Sequence, residues 1–269
     1  MLIASMALYI GVSAVVSTLV SFAYLGSGSA DGIILKTTIV STAVCAGFMF
    51  VWNLFLSKYF IDKSFTRENG NVSAGGMILL VAAAGLFSMA LNSVFGIVSF
   101  FYHDTVYEGI AKGMTSGTVF EIVLCTVILA PILEEILFRG IFYAGFRSIF
   151  AYRVNEKKMV SLALVFSSLC FGIVHMNVSQ FVYAFIVGIL LGYIYEKTGK
   201  LYMSVIAHAV CNLLSAARIY NPLYTAVSQK ISYLAADAAV LFAVAILLLL
   251  IFRRSMKNVP DKGTKGQIN

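Results

Sequence analysis

Eight long apolar stretches, separated by short polar segments, dominate the pattern of the chain. Because a helix needs about 20 mostly apolar residues to cross a bilayer, each stretch predicts one transmembrane helix, and we number them spans 1 to 8. The pattern therefore predicts an all-α, polytopic membrane protein of about eight transmembrane helices. The spans cover roughly residues 2–25, 33–57, 76–102, 118–148, 159–177, 179–196, 201–219 and 231–252.

The polar breaks between the spans are too short to hold a separate soluble domain. The longest, at about residues 61–76, predicts a loop, and the polar segment after Arg253 predicts a disordered tail. We therefore divide the chain by its spans: three transmembrane helices at 1–117, a core of four at 118–220, and the last helix with the tail at 221–269.

The composition agrees with a chain that lies mostly in lipid. Of the residues, 60% are hydrophobic and 12% are charged, whereas soluble domains have roughly 45–50% apolar and about 25% charged residues. The net charge of +7 does not indicate nucleic-acid binding, because the basic residues form short clusters between the spans without interleaved aromatic residues.

The basic clusters instead predict the orientation in the membrane. If the N-terminus is cytoplasmic, most of the 19 lysines and arginines fall in inside loops or in the tail, Arg147 among them, as the positive-inside rule requires. No lysine or arginine precedes span 1, so we expect this helix to be retained rather than cleaved as a signal peptide. The predicted location is a bacterial plasma membrane, with both termini cytoplasmic.

Two further patterns concern packing. In span 6, Gly188-xxx-Gly192 predicts that a neighbouring helix approaches closely. The cysteines all lie in apolar stretches and form no CxxC pair, so we expect buried thiols rather than a disulfide framework or a zinc ribbon. They are Cys45, Cys125, Cys170 and Cys211.

Ionisable side chains within spans are costly in lipid and therefore point to function. In span 4, Glu135 and Arg139 are spaced i, i+4, which predicts an ion pair on one helix face. Glu134 lies about 100° around the helix from Glu135, so it lacks an intrahelical partner and is a candidate general base. Pro131 cannot donate a backbone hydrogen bond, which predicts a free Val127 carbonyl and a kink that admits water.

Spans 5 and 7 supply further polar side chains. His208 and Asn212 share one helix face, and such a pair of donors suits a developing oxyanion. His175 follows Phe171 on one face of span 5. Either histidine alone would be read as a helix–helix hydrogen bond, but with Glu134 they form the parts needed to activate water against an amide carbonyl.

Three other polar side chains have weaker assignments. Asp237 in span 8 has no partner that the sequence identifies, so it is read as a helix-packing contact or a weak substrate contact. Glu121 lies near the outer end of span 4. His103 follows span 3 in a polar loop and is expected to be solvated.

Three motifs, each on its own span, carry a family resemblance. Their order resembles the intramembrane peptidases grouped as CAAX proteases and bacteriocin-processing enzymes, the CPBP family, whose eukaryotic relative is type II CAAX prenyl endopeptidase. The resemblance covers roughly residues 118–220. The motifs are Glu134-Glu135-xxx-Arg139, Phe171-xxx-His175 and His208-xxx-Asn212.

The resemblance implies an active site in an intramembrane cavity between spans 4, 5 and 7. It implies that Glu134 and His175 activate the attacking water, and that His208 and Asn212 hold the oxyanion. The substrate it implies is a membrane-anchored peptide or protein. The residues that it implies support the site are Glu135, Arg139 and Phe171.

Two alternatives stay open. A zinc ion could be held by Glu134, His175 and His208 with water as fourth ligand. That set leaves Asn212 unexplained, so a metal-free mechanism without a cofactor is preferred. The second alternative is a non-catalytic membrane protein, such as a proton-coupled transporter or a bacteriocin-immunity partner, since carboxylates and histidines also form proton relays.

Overall fold

The computed structural model describes residues 1–24, 30–59, 72–114, 117–219, 221, 224 and 228–257, and within these residues all regular structure is helical. The helices are α1 (Leu2–Ala23), α2 (Ala30–Tyr59), α3 (Ala74–Val98), α4 (Thr105–Met114), α5 (119–150), α6 (Glu156–Ile173), α7 (Val178–Thr198), α8 (Leu201–Ile219) and α9 (Ile231–Lys257).

The predicted all-α membrane architecture is confirmed. Among the described residues, six helices are long and apolar enough to cross a membrane: α1, α2, α3, α7, α8 and α9. Spans 1 to 3 correspond to α1–α3, and spans 4 to 8 correspond to α5–α9. On α1, side chains such as Ile3 and Leu19 are exposed, as expected of a helix whose outer face meets lipid rather than water.

The helices differ from the prediction at α4, at the end of α9 and at the end of α6. The short helix α4 was not predicted, because its mixed polar and apolar residues do not form a long apolar stretch. The last helix continues to Lys257, beyond the predicted start of the tail, and residues 258–269 lie outside the described residues. Residues 60–71, which make up most of the predicted loop, also lie outside them.

Helix α6 ends at Ile173, so His175 lies in the turn before α7 and not on the predicted helix. The turn is sharp because Asn177 caps α7, accepting from the Gln180 N–H at 2.8 Å and donating to the His175 carbonyl at 2.9 Å. Met176 has a φ of 58° in this turn.

Helix α5 begins with a capping box, in which the Thr118 hydroxyl accepts from the Glu121 N–H and the Glu121 carboxylate accepts from the Thr118 N–H. This contact explains the polar Glu121 near the end of span 4, since it pairs two backbone donors that a helix start leaves open. Glu121 thus has a local structural partner.

Helix α5 is not a regular α-helix along its length. Two π-helical segments, Val123–Leu129 and Ile136–Tyr143, flank the α-helical segment Ala130–Glu135. π-helical segments are rare and frequently occur at functional sites. The glutamate pair thus lies at the end of a short α-helical segment between two widened turns.

The two larger apolar clusters join helices α5–α8 to the helices before and after them in the chain. In one, Met49 and Leu56 of α2 pack against α5 and α6. In the other, Leu80 of α3 and Phe252 of α9 pack against α7 and α8. Helices α5–α8 therefore depend on α2, α3 and α9 for their packing.

The Gly188-xxx-Gly192 motif brings α7 against α6, as the small-residue spacing predicted. A β-carbon at Gly188 would lie 3.0 Å from Cβ of Ser168, and one at Gly192 would lie 2.6 Å from a Leu164 methyl. The four cysteines are free thiols, of which all but Cys170 are buried.

Asp237 has a partner that the sequence did not identify. Arg218 of α8 donates to the carboxylate of Asp237 on α9, and the Ser93 hydroxyl on α3 donates to the same carboxylate. Arg218 also donates to the Met89 carbonyl at 2.6 Å. Asp237 is therefore a packing contact that joins three helices.

A second buried charge cluster corrects the assignment of Arg147 to an inside loop. Arg147 lies in α5, and its Nη1 atom is 2.5 Å from Oε2 of Glu196 on α7. The Tyr143 hydroxyl donates to the same oxygen at 2.5 Å. Because Arg147 is 7% exposed, it neutralises a buried carboxylate and is not a loop charge.

Candidate active site

The buried ion pair predicted within α5 is present. Arg139 Nη1 donates to Glu135 Oε1 at 2.8 Å, and both side chains are buried. Arg139 Nη2 also donates to the Gly188 carbonyl at 2.8 Å. This second contact joins the ion pair to α7, and the two contacts account for a guanidinium that would otherwise be costly inside a membrane.

His208 lies between the two glutamates. Its Nδ1 atom is 2.9 Å from Oε1 of Glu135, and its Nε2 atom is 3.5 Å from Oε2 of Glu134. A carboxylate only accepts hydrogen bonds, so the Nδ1 of His208 carries the proton of the shorter contact. Glu135 therefore orients the imidazole, and the opposite ring nitrogen faces Glu134.

The two neighbouring glutamates have different environments. The side chain of Glu135 is 0% exposed, whereas that of Glu134 is 24% exposed. Glu134 has no arginine partner among its described contacts, and its neighbour is the His208 ring. Of the two carboxylates, Glu134 is therefore the one that water or a substrate can reach.

Phe171 lies at the centre of this group. Its ring centroid is 5.1 Å from that of His175 and 5.7 Å from that of His208, both in edge-on geometry. The guanidinium carbon of Arg139 lies 5.1 Å from the same centroid. The aromatic ring therefore holds both imidazoles and the arginine in fixed positions around it.

His175 has a defined tautomer when it is neutral. Its Nδ1 atom lies 2.8 Å from the Phe171 carbonyl oxygen. A carbonyl can only accept, so Nδ1 carries the proton and Nε2 keeps a lone pair. That nitrogen can accept a proton or a hydrogen bond from water.

The side chain of Asn212 hydrogen-bonds to the first π-helical segment of α5. Its Nδ2 atom donates to the Thr126 carbonyl at 2.8 Å. The Ala130 N–H donates to Cys125 five residues earlier, so in the same π-helical register the residue opposite the Thr126 carbonyl is Pro131, which has no N–H to donate. Asn212 replaces the donor that proline lacks, and one N–H of its amide is already used.

The cavity that the structure shows differs from the predicted one. It has a volume of about 290 Å³ and lies where the C-terminal end of α3, the start of α4, the start of α7 and the middle of α8 meet. Of the four predicted catalytic residues, only Asn212 lines it. His175 and His208 contact the Phe171 ring instead, and Glu134 of α5 lies next to His208.

The sequence interpretation missed the other polar residues of this cavity. Asn92 lies within span 3 and donates to Ser215 at 2.7 Å. Asp104 lies before α4, is 9% exposed, and accepts from the Ser179 N–H at 3.1 Å. A search for polar residues within spans would have found Asn92, but nothing local relates Asp104 to α7.

The side chains as placed do not form the alternative zinc set. Over the described ranges, no group of three His, Cys, Asp or Glu side chains is arranged to hold a metal ion. In both histidines the contact uses Nδ1, at the Phe171 carbonyl and at Glu135, and leaves Nε2 available, which is also how a metal-binding histidine is usually oriented.

A bundle of membrane-length helices with paired glutamates and histidines at its centre is consistent with a membrane protease. Residues 116–214 match the model of the family described as "Type II CAAX prenyl endopeptidase Rce1-like". The matched segment is less than half of the chain, and it contains all seven of the predicted site residues.

The chain is also similar to a bacterial protein. "Putative membrane peptidase YdiL" of Bacillus subtilis (strain 168) is 24% identical over 169 residues, which cover 61% of this chain and 66% of that protein. The aligned part is thus just under two thirds of the relative's length. No solved structure matches the chain.

Proposed function

We propose that the chain is an intramembrane endopeptidase that hydrolyses a peptide bond of a membrane-associated peptide or protein. One observation carries the proposal: Arg139 pairs with Glu135, Glu135 accepts from His208, and His208 lies next to Glu134. It leaves one accessible carboxylate beside an imidazole that a buried carboxylate orients. An orienting acid, a histidine and a reactive group are the recurring parts of hydrolytic sites.

In the proposed reaction, Glu134 takes a proton from a water molecule while the water oxygen bonds to the scissile carbonyl carbon. The lone pair on His175 Nε2 helps to position that water. The C–N bond then breaks, and Glu134 returns the proton to the leaving amine, as a general base that becomes a general acid.

The negative charge on the carbonyl oxygen needs donors. In this proposal His208 carries protons on both ring nitrogens, so that Nδ1–H donates to Glu135 and Nε2–H to the oxyanion. The second N–H of Asn212, one helical turn farther along α8, completes the pair. Preorganised donors of this kind are worth about 10²–10³ in kcat each.

The experiment compares wild-type protein with Glu134→Gln. Purified proteins in detergent are incubated with membrane extracts, and new peptide termini are identified by mass spectrometry. We expect termini with wild type and none with Glu134→Gln, at equal thermal midpoints. Glu156→Gln, which makes the same change at the exposed start of α6, should retain cleavage. Full activity of Glu134→Gln would refute the proposal and leave a transporter or binding protein.

Arg139→Ala is expected to act differently from Glu134→Gln. It leaves Glu135 buried without its cation, and breaking a buried pair costs about 3–5 kcal/mol. We expect less folded protein and a lower thermal midpoint, measured by size-exclusion chromatography and thermal unfolding in detergent. An Arg139→Ala protein as stable as wild type would contradict this structural role.

The proposed mechanism uses no metal ion, and zinc is its alternative. Metal analysis of purified, active protein tests the choice. Zinc at one ion per chain, with activity lost on chelation and restored by zinc, would replace the metal-free mechanism.

A further inference from the structure

The cavity beside Asn212 runs toward the start of α4. Asn212 is the one proposed catalytic residue in its wall, and it lies one helical turn from His208 on α8, so a substrate bound in the cavity would contact a proposed oxyanion donor. The other walls are Phe95 and Val98 of α3, Tyr102, and Tyr183 of α7. These side chains form an apolar and aromatic channel.

The polar part of the cavity is negatively charged. Its lining includes the carboxylates of Asp104 and Glu108 and, among the residues that the structure describes, no lysine or arginine. Asp104 is 9% exposed. Glu108 is 59% exposed at its side chain and lies 3.5 Å from His103, which is near the surface. The carboxylate at the rim is therefore exposed, and the carboxylate of Asp104, deeper in the cavity, is buried.

Apolar walls with a carboxylate among them match an amphipathic cation. Lysine and arginine side chains have an apolar stem and a charged head, and they bury the stem while the head keeps polar partners. An entirely apolar isoprenoid chain would instead replace water at the carboxylates with hydrocarbon, which offers neither a hydrogen bond nor a counter-charge, whereas a lysine or arginine head offers both. The volume of about 290 Å³ is at the small end for ligand pockets, roughly 300–1,000 Å³, and fits a side chain with its flanking backbone.

We propose that this cavity binds a lysine or arginine side chain of the peptide substrate, with the cationic head at Asp104 and the stem between Phe95 and Tyr102. The proposal rests on the proposed peptidase function and specifies the substrate of that same site. Asp104 also accepts from the Ser179 N–H at the start of α7. A carboxylate at a helix N-terminus stabilises the helix. The test must therefore separate an effect of Asp104 on substrate preference from an effect on protein stability.

The binding experiment uses Glu134→Gln protein in detergent and two fluorescein-labelled peptides of ten mainly apolar residues. They are identical except for one central residue, which is lysine in one and norleucine in the other. Fluorescence anisotropy measures both dissociation constants. We expect the lysine peptide to bind about tenfold more tightly or better, with a difference that decreases as salt is added, since the rim is exposed.

Asp104→Asn keeps an oxygen that can accept from Ser179 and removes the charge. In the Glu134→Gln background it should reduce the lysine preference to about one, while Glu156→Gln, at an exposed position on α6, leaves the preference intact. If Asp104→Asn does not fold, the exposed Glu108→Gln serves as the second variant and should lower the preference several-fold. Equal binding of both peptides, or a preference that survives loss of these charges, overturns the proposal.

A cleavage assay with wild-type protein on the same peptide pair separates this proposal from the peptidase function. Lysine-selective binding without cleavage means that the peptidase function fails and the cation site remains. Cleavage without a lysine preference means that the peptidase function stands and the cation site is wrong.

Discussion

At the scale of single residues, the site is a set of charges that compensate one another in a place where water is scarce. Arg139 neutralises Glu135, Glu135 orients His208, and His208 faces Glu134. These contacts offset part of the cost of burial, although Oε2 of Glu135 and Nε of Arg139 are buried without a hydrogen-bond partner among the described residues. Glu134 is the member with partial exposure, and for this reason we propose it, and not Glu135, as the reactive carboxylate.

Asn212 has one observed contact, to the Thr126 carbonyl, and one proposed role in the reaction, and two measurements on a single variant separate them. Asn212→Ala removes the donor to the Thr126 carbonyl, and an unpaired buried acceptor costs about 1–3 kcal/mol. It also removes the proposed oxyanion donor, so we expect kcat to fall by about 10²–10³ with little change in KM. Thermal unfolding in detergent and steady-state cleavage kinetics measure the two effects.

The control for Asn212 is Asn92→Ala, which removes an amide from the same cavity that donates to Ser215. It should lower stability without a comparable loss in kcat. If Asn212→Ala lowers stability but keeps its kcat, Asn212 is a structural replacement for the proline donor and has no part in the reaction.

At the scale of elements, the position of His175 depends on how closely α6 approaches α7. A β-carbon at Gly172 would lie 2.8 Å from the Phe181 carbonyl oxygen on α7, and the His175 N–H donates to the Gly172 carbonyl at 3.1 Å. Glycine at 172 thus permits the sharp turn that brings the imidazole beside Phe171. The capped start of α7 then holds the other side of the turn.

Gly172→Ala is expected to move α6 away from α7, because the atom in its way is backbone and cannot rotate aside. Overpacking of this kind costs about 1–3 kcal/mol, and activity should fall at least about tenfold, since small misplacements of reacting groups are costly. The matched control is Gly47→Ala, whose β-carbon has nothing within 4 Å and which should be neutral or slightly stabilising. Thermal midpoints and cleavage rates that are equal for the two variants would show that the close approach is unimportant.

At the scale of the whole molecule, the family segment is part of a larger packed unit. Its helices share apolar cores with α2, α3 and α9, and Arg218 on α8 has its carboxylate partner, Asp237, on α9. The division at 118–220 therefore marks where the candidate chemistry lies and does not mark an independent folding unit.

A fragment of residues 118–220 expressed alone is expected not to reach a folded, active state. It exposes apolar faces that normally contact neighbouring helices, and it leaves Arg218 without Asp237, at a cost of about 3–5 kcal/mol for a broken buried pair. Co-expression with the separate fragments 1–117 and 221–269 should restore protease-resistant protein and cleavage. The readouts are limited proteolysis in detergent and peptide release, and activity of the isolated fragment would contradict the prediction.

The sequence by itself determined the features that depend on neighbours along one helix. Apolar length predicted the eight long helices, and the i, i+4 spacing predicted the Glu135–Arg139 pair, because helix geometry relates such positions directly. The Gly188-xxx-Gly192 spacing predicted a close helix contact, although not that its partner is α6. The short helix α4 and the π-helical turns were not predicted, since neither forms a long apolar pattern.

The tertiary structure decided how side chains from different helices meet. His208 contacts Glu135 across 73 positions of the chain, and Asn212 contacts the Thr126 carbonyl across 86. The pairing of Asp237 with Arg218 and the position of Asp104 in the cavity also depend on contacts between separate helices. These contacts depend on the rotation and depth of each helix against its neighbours, which packing of the whole bundle sets and no local spacing encodes.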